Sequence, residues 1–273
     1  MDKPINYIDI NKSAWNKKTP IHLESAFYDM DGFLDGKTSL KDIELSLIGD
    51  IKGKRILHLQ CHFGQDSLSL ARMGAIVTGV DFSDVAISKA KELAAQINCE
   101  ANFICCNIYE LANHLDEQFD MIFTTYGTIG WLPDLDKWAA IVSGSLKPGG
   151  EFVFVEFHPA VWMFDDDFQK IGYNYFNTGP IVETYSGSYA DKSAPLKEEY
   201  VMWNHGMGEV INSIINNGME LKSLEEYNYS PYPNFNHTVE PSPGKYRIAH
   251  LEDRIPMVYS IKAVKNSVEK NLP

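Results

Sequence analysis

The sequence predicts an α/β protein built on one doubly wound, mostly parallel sheet, and three observations carry that prediction. From residue 54 onward, short β-branched or apolar runs alternate with amphipathic stretches over about 100 residues, the rhythm of parallel βαβ units. The length, 273 residues, suits a single large α/β domain with insertions. The composition, 44% hydrophobic and 12% aromatic, supplies a substantial core and excludes disorder and fibrous repeats.

Taken in order, residues 1–50 read as an N-terminal extension containing helices, without the apolar centre of a signal peptide. Residues 51–158 form the core of the pattern, with strands expected near 54–60, 75–80, 101–106, 119–124 and 150–156. Between the second and third strands, Ser83 is an N-cap, and Ala86, Ile87, Ala90, Leu93, Ala94 and Ile97 recur on one helical face. Helical patterns also fit 65–73, 108–115 and 134–145, the last stopping at LKPGG. Residues 159–205 break the rhythm and are rich in aromatics, among them Trp162, Tyr173, Tyr185, Tyr189 and Trp203. They read either as a lid or pocket wall or as a cover for apolar sheet edge. Residues 206–273 supply a helix near 206–217, ending at Gly218, and strands near 219–227 and 257–264, which complete a seven-stranded sheet.

Charge and cysteine usage narrow the function. With 37 acidic against 24 basic residues the net charge is −13, which disfavours nucleic acid as a partner. Cys61, Cys99, Cys105 and Cys106 form no CxxC pair, so neither a metal site nor a disulfide framework is expected, and reduced thiols suit the cytoplasm. No run of 18 apolar residues is present, so a soluble protein without a membrane partner is expected. The sequence is compatible with a monomer or a homodimer.

Ligands of open parallel sheets bind beyond the carboxyl ends of the strands, so chemistry is sought at the strand tips. In RILHLQCHFGQDSLSLA, residues 55–71, an apolar strand runs through a tight loop holding Gly64 into an amphipathic helix. In VTGVDFS, Asp81 ends the next strand 17 positions after Gly64, where a carboxylate accepts hydrogen bonds from the two hydroxyls of a ribose. The pair points to a nucleoside cofactor. Only Gly64 remains of a GxGxxG set, and Asp66 in the first helical turn repels phosphate. S-adenosylmethionine has no phosphate and carries two positive groups, so the charge pattern favours it over NAD.

At these positions the sequence resembles the class I S-adenosylmethionine-dependent methyltransferases. RILHLQCHFG matches the family's strand and DxGxGxG loop, with His58 in place of the acidic residue and Gln60 and His62 in place of two glycines. VTGVDFS matches the ribose-binding strand end, CCNIYEL the adenine-contacting segment, FDMIFTTYG the fourth strand, and LKPGGEFVFVE the turn into the fifth. The resemblance spans roughly residues 50–158 together with the C-terminal helix and strands. It implies a Rossmann-like sheet with an antiparallel C-terminal strand, S-adenosyl-L-methionine as cofactor and S-adenosyl-L-homocysteine as product. Carried over by position, it implies that Gln60, Cys61 and Gly64 face the methionine part. Asp81 then holds the ribose and Phe82 packs on the adenine, which Asn107 and the Ile108 backbone contact.

Methyl transfer is an in-line displacement, so the protein's main task is alignment in a dry pocket. A base is needed only when the acceptor must lose a proton. His158 and Tyr126 are the candidate catalytic residues, Tyr126 also lining the space between cofactor and acceptor; Glu156 and His205 are further candidates for a base. His62 reads as a loop or cofactor contact. Gly36, Lys37 and Thr38 lack the remainder of a phosphate-binding loop, and no GxSxG or HExxH motif is present. The fourth strand ends in TTYG and lacks an NPPY-like tetrapeptide, which lowers nucleic-acid substrates further. The expected function is methylation of a small-molecule oxygen or nitrogen. Protein or RNA methylation, non-catalytic nucleoside binding and NAD-dependent dehydrogenation are the alternatives.

Overall fold

A computed structural model describes residues 5–267. The expected segment 206–273 therefore runs past the described residues at its end. Three helices come first, α1 (Tyr7–Glu24), α2 (Met30–Leu34) and α3 (Asp42–Ile48). The alternating core follows as β1 (Arg55–Leu59), α4 (Gln65–Arg72), β2 (Ile76–Asp81), α5 (Asp84–Gln96), β3 (Asn102–Cys105), β4 (Phe119–Thr125), α6 (Leu135–Ser145) and β5 (Leu146–Phe157). A hairpin of β6 (Ile181–Ser186) and β7 (Lys197–Met202) lies in the aromatic segment. Then come α7 (Met207–Asn216), β8 (Met219–Tyr227), a second hairpin of β9 (Thr238–Ser242) and β10 (Lys245–Ile248), and β11 (Val258–Lys265).

The main sheet has seven strands in the order β3-β2-β1-β4-β5-β11-β8. β1 pairs in parallel with both β2 and β4, so the strand order reverses at β1, while β11 runs antiparallel to β5 and β8. This is the expected Rossmann-like sheet with its antiparallel C-terminal strand. The reversal opens a crevice at the carboxyl tips of β1 and β4.

Alternation along the strands distributes the core to both faces. On β5, Phe152 and Phe154 stack 5.7 Å apart under the fully buried Trp138 of α6, and α7 adds Val210 and Ile214. Val153 and Val155 face the other side, where α3 contributes Ile48 and Ile43. There α4 and α5 pack Leu68, Ile87 and Ala90 against Phe103 of β3. The Ser83 hydroxyl accepts from the Ala86 N–H at 3.0 Å, the expected cap of α5. Residues 108–113 form a 3-10 helix rather than the expected α-helix over 108–115, because Asn107 caps Tyr109 in a tight turn and only Ile108 and Leu111 are buried.

Helix α1 does not pack as an amphipathic helix ordinarily does. Its buried residues, Asn11, Ala14, Lys18, Thr19 and His22, share one face but are mostly polar. Asn11 binds β7 like a neighbouring strand: Nδ2 donates to the Val201 carbonyl at 2.8 Å and Oδ1 accepts from its N–H at 2.9 Å. No helix among the described residues is long and apolar enough to cross a membrane.

Candidate active site

The crevice at the strand tips holds two cavities. The larger is about 750 Å³ and is bounded by the β1–α4 loop, the β4 tip, α1, the 159–205 segment and Tyr232 to Asn236. The smaller is about 40 Å³ and lies among Phe82, Asn107 and Ile108, under Tyr7, Ile8 and Asn11 of α1. Gln60, Asp81, Phe82 and Trp131 line both, so the two cavities adjoin at these residues.

The β1–α4 loop explains how this sequence dispenses with two glycines. Gln60 and His62 adopt left-handed backbone conformations, φ 54° and 52°, although a Cβ makes that region costly. Gln60 is held there by its side chain, which donates from Nε2 to the Thr128 carbonyl at 2.8 Å. His62 is held by its N–H, which donates to Asp81 Oδ2 at 2.9 Å. Gly64, at φ 78°, cannot be replaced so readily, because a Cβ would approach the Phe103 ring to 2.7 Å. Of the eight non-glycine residues with positive φ among those described, five line the larger cavity: Asp29, Gln60, His62, Tyr126 and Phe168. Strain concentrated in this way marks a functional site.

Asp81 sits at the β2 tip, 8% exposed, and accepts the N–H groups of His62 and Ser83, each at 2.9 Å. Burial raises its pKa to about 6, against the backbone donors that lower it. A carboxylate has roughly four acceptor positions, so two remain for ribose hydroxyls. Two buried polar atoms of the β1–α4 loop, Gln60 Oε1 and His62 Nε2, have no partner within the protein. Gln60 Oε1 is an acceptor suited to the ammonium of an amino-acid ligand. Buried Cys61, with its thiol raised by burial, lines the same wall. These donors and acceptors fit the nucleoside and methionine parts of S-adenosylmethionine.

The structure brings together Gln60, Cys61, Gly64, Asp81, Phe82 and Tyr126 around the larger cavity and places Asn107 and Ile108 at the smaller. It does not bring His158 to either. That imidazole accepts from the Ala160 N–H through Nδ1 at 3.0 Å, and Nε2 lies 2.8 Å from the Glu226 carboxylate of β8. Glu156 lines the larger cavity, but its carboxylate is consumed by backbone: it accepts from the N–H groups of Gly127, Thr128, Ile129 and Phe157 and from the Thr128 hydroxyl. His205 is likewise engaged at both nitrogens, with Glu209 at 3.0 Å and the Leu132 carbonyl at 2.8 Å.

Tyr126, at the β4 tip, donates its hydroxyl to Glu44 Oε2 at 2.7 Å. Glu44 is fully buried in α3, and burial raises its pKa to about 7. The sequence reading missed Glu44 and also the α1 side of the cavity, where Trp15, Lys18, His22 and Tyr28 gather near His62 and Tyr189. His22 Nε2 lies 2.6 Å from the Ser188 hydroxyl. Burial pushes the His22 and His62 pKa values down to about 2 and 3, so both rings are neutral near pH 7.

Comparison with known proteins agrees with this geometry. Residues 56–150 match the family model described as a methyltransferase domain. The ubiquinone biosynthesis O-methyltransferase of Coxiella burnetii is 32% identical over 151 residues, 54% of this chain and 58% of that protein. The chain thus matches little more than half the length of that relative. A crystal structure of an S-adenosylmethionine-dependent methyltransferase from Mesorhizobium loti superposes with TM-score 0.57 at 20% identity, over 85% of this chain and all of that one. One from Listeria monocytogenes, described as a putative enzyme of the same kind, gives 0.57 at 20% identity over 82% of this chain and 96% of that one. The glycine-loop strand, the acidic β2 tip and the sheet order accompany these matches: residues 56–150 match a methyltransferase domain and lie on a Rossmann-like sheet.

Proposed function

We propose that the protein transfers a methyl group from S-adenosylmethionine to an oxygen or nitrogen of a small molecule, with an oxygen acceptor favoured by the similarity to an O-methyltransferase. The observation that carries the proposal is the junction of the two cavities at Gln60, Asp81, Phe82 and Trp131. Asp81 anchors a ribose there, with the adenine directed toward Phe82, Asn107 and Ile108 and the methionine end toward Gln60 and Cys61. The cofactor supplies an electrophilic methyl on a sulfonium.

The larger cavity is walled by Trp15, Tyr28, Tyr126, Trp131, Tyr189 and Tyr232, a concave and largely aromatic surface that suits a small acceptor. These walls exclude water and hold the acceptor for in-line attack. Where the acceptor must lose a proton, Tyr126 provides the path, passing its own proton to Glu44 as it receives one. His158 has no such path, being tied to Ala160 and Glu226.

Thermal denaturation with S-adenosylmethionine, S-adenosylhomocysteine and NAD in parallel tests the cofactor. At 100 times its dissociation constant a ligand adds about 2.7 kcal/mol, which raises the midpoint by roughly 5–10 °C for this size. A shift with the first two alone is expected, followed by transfer of labelled methyl to a panel of phenols and amines. No shift with either, or a shift with NAD, refutes the proposal.

A further inference from the structure

Lys18 lies on the buried face of α1 and lines the larger cavity with only 7% of its surface exposed. Its Nζ stands 4.1 Å from the Tyr200 ring centroid, 4.9 Å from that of Trp15, and 5.9 Å from those of Trp131 and Tyr189. Among the described residues no carboxylate pairs with it, whereas Lys12, Lys17, Lys37, Lys54, Lys89, Lys147 and Lys262 all have acidic partners. A cation buried without a counterion is costly, and the rings offset only part of that cost.

The titratable groups that face Lys18 do not supply the missing charge. His22, on the same helix, and His62, in the β1–α4 loop, are neutral near pH 7. Tyr200 is pushed up to about 12, and Tyr189 is raised as well, both by burial, so neither is a phenolate. Asp165, Asp166 and Glu183 also line the cavity, as do Lys37, Lys41 and Lys192 on walls away from the ring cage. Glu183 is occupied by the hydroxyls of Tyr173 and Tyr185. Burial lowers the pKa of Lys18 itself to about 7, as expected of an ammonium awaiting a partner.

We infer that Lys18 and its ring cage form a subsite for an anionic group, of the carboxylate class, on the methyl acceptor. The inference rests on the methyltransferase reading above and narrows it to acceptors that pair an apolar or aromatic body with an acid. The acceptor is favoured over the cofactor as the source of the anion because Tyr189 and Tyr200 of the cage belong to the 159–205 segment, away from the nucleoside pocket, which Lys18 does not line.

Calorimetry on the full chain tests this with a panel of aromatic and aliphatic monocarboxylates, 4-hydroxybenzoate among them, each against its neutral amide. Titrations are run at pH 8, with and without S-adenosylhomocysteine, in buffers of different ionisation enthalpy. At least one acid should bind tenfold or more tighter than its amide and take up close to one proton, since free Lys18 is largely neutral at that pH. In Lys18→Met both the preference and the proton uptake should vanish, while the affinity for S-adenosylhomocysteine stays within twofold. The inference is overturned if no acid outbinds its amide, or if the preference survives in Lys18→Met. It is equally overturned if that variant loses affinity for S-adenosylhomocysteine but not for 5′-methylthioadenosine, which lacks the carboxylate. Failure of the parent to bind S-adenosylhomocysteine would sink the methyltransferase reading separately, leaving the titrations without it to decide the anion subsite.

Discussion

Replacing Lys18 by methionine keeps a long, flexible side chain among the four rings and removes only the ammonium, so the stability change isolates the cost of the buried charge. An exposed lysine titrates at 10.5 and Lys18 at about 7. At 1.36 kcal/mol for each tenfold change in proton affinity, the penalty at pH 7 is roughly 4 kcal/mol. Cation–π attraction, closest at the Tyr200 ring 4.1 Å away, returns roughly 0.5–2 kcal/mol. Lys18→Met should therefore stabilise the ligand-free protein by roughly 2–4 kcal/mol at pH 7. Between pH 7 and 10 the unfolded chain binds the extra proton, so the parent gains stability as pH rises and the gap closes to within about 1 kcal/mol by pH 10. Urea denaturation of both proteins at the two pH values measures the gap. A variant less stable than the parent at pH 7, or a gap that does not narrow with pH, refutes the reasoning.

Three further predictions follow from the strand tips. Asp81→Asn should weaken S-adenosylhomocysteine binding at least tenfold. In the parent, affinity should fall as pH drops through about 6, because protonation of Asp81 removes the charged acceptor; calorimetry at pH 5 and 7.5 reads this, and a flat profile contradicts it. Glu156→Ala leaves four N–H groups without their carboxylate and should cost about 3 kcal/mol or more in urea denaturation, whereas an unchanged stability would return Glu156 to the list of free acids. At position 60, Gln60→Ala keeps the left-handed strain and loses the bond to Thr128, so it should be less stable than Gln60→Gly by about 1 kcal/mol. The opposite order would show that the loop relaxes.

The parts of the molecule legible in the sequence are those whose signal is local. The strands announce themselves by short apolar runs, and the β1 loop and Asp81 lie within 30 residues of one another, so the fold and the strand-tip residues that line the cavities could be read directly. β5 begins at Leu146, earlier than expected, because the LKPGG turn itself joins the strand through a register shift opposite Phe119. The α1 side of the larger cavity was not legible. Trp15, Lys18, Thr19 and His22 recur at helical spacing, but apolar periodicity cannot register a helix that buries polar groups. Glu44 and Tyr126 meet across 82 positions, a pairing set only by how α3 docks on β5.

The twin hydrogen bonds between Asn11 and Val201 make α1 and the β6–β7 hairpin one mechanical piece. Tyr7 and Ile8 on that piece roof the nucleoside pocket, while Tyr200 and Met202 wall the other cavity. A displacement of α1 that altered the roof of the nucleoside pocket would therefore also move a wall of the larger cavity, so the two spaces are coupled through a single pair of hydrogen bonds.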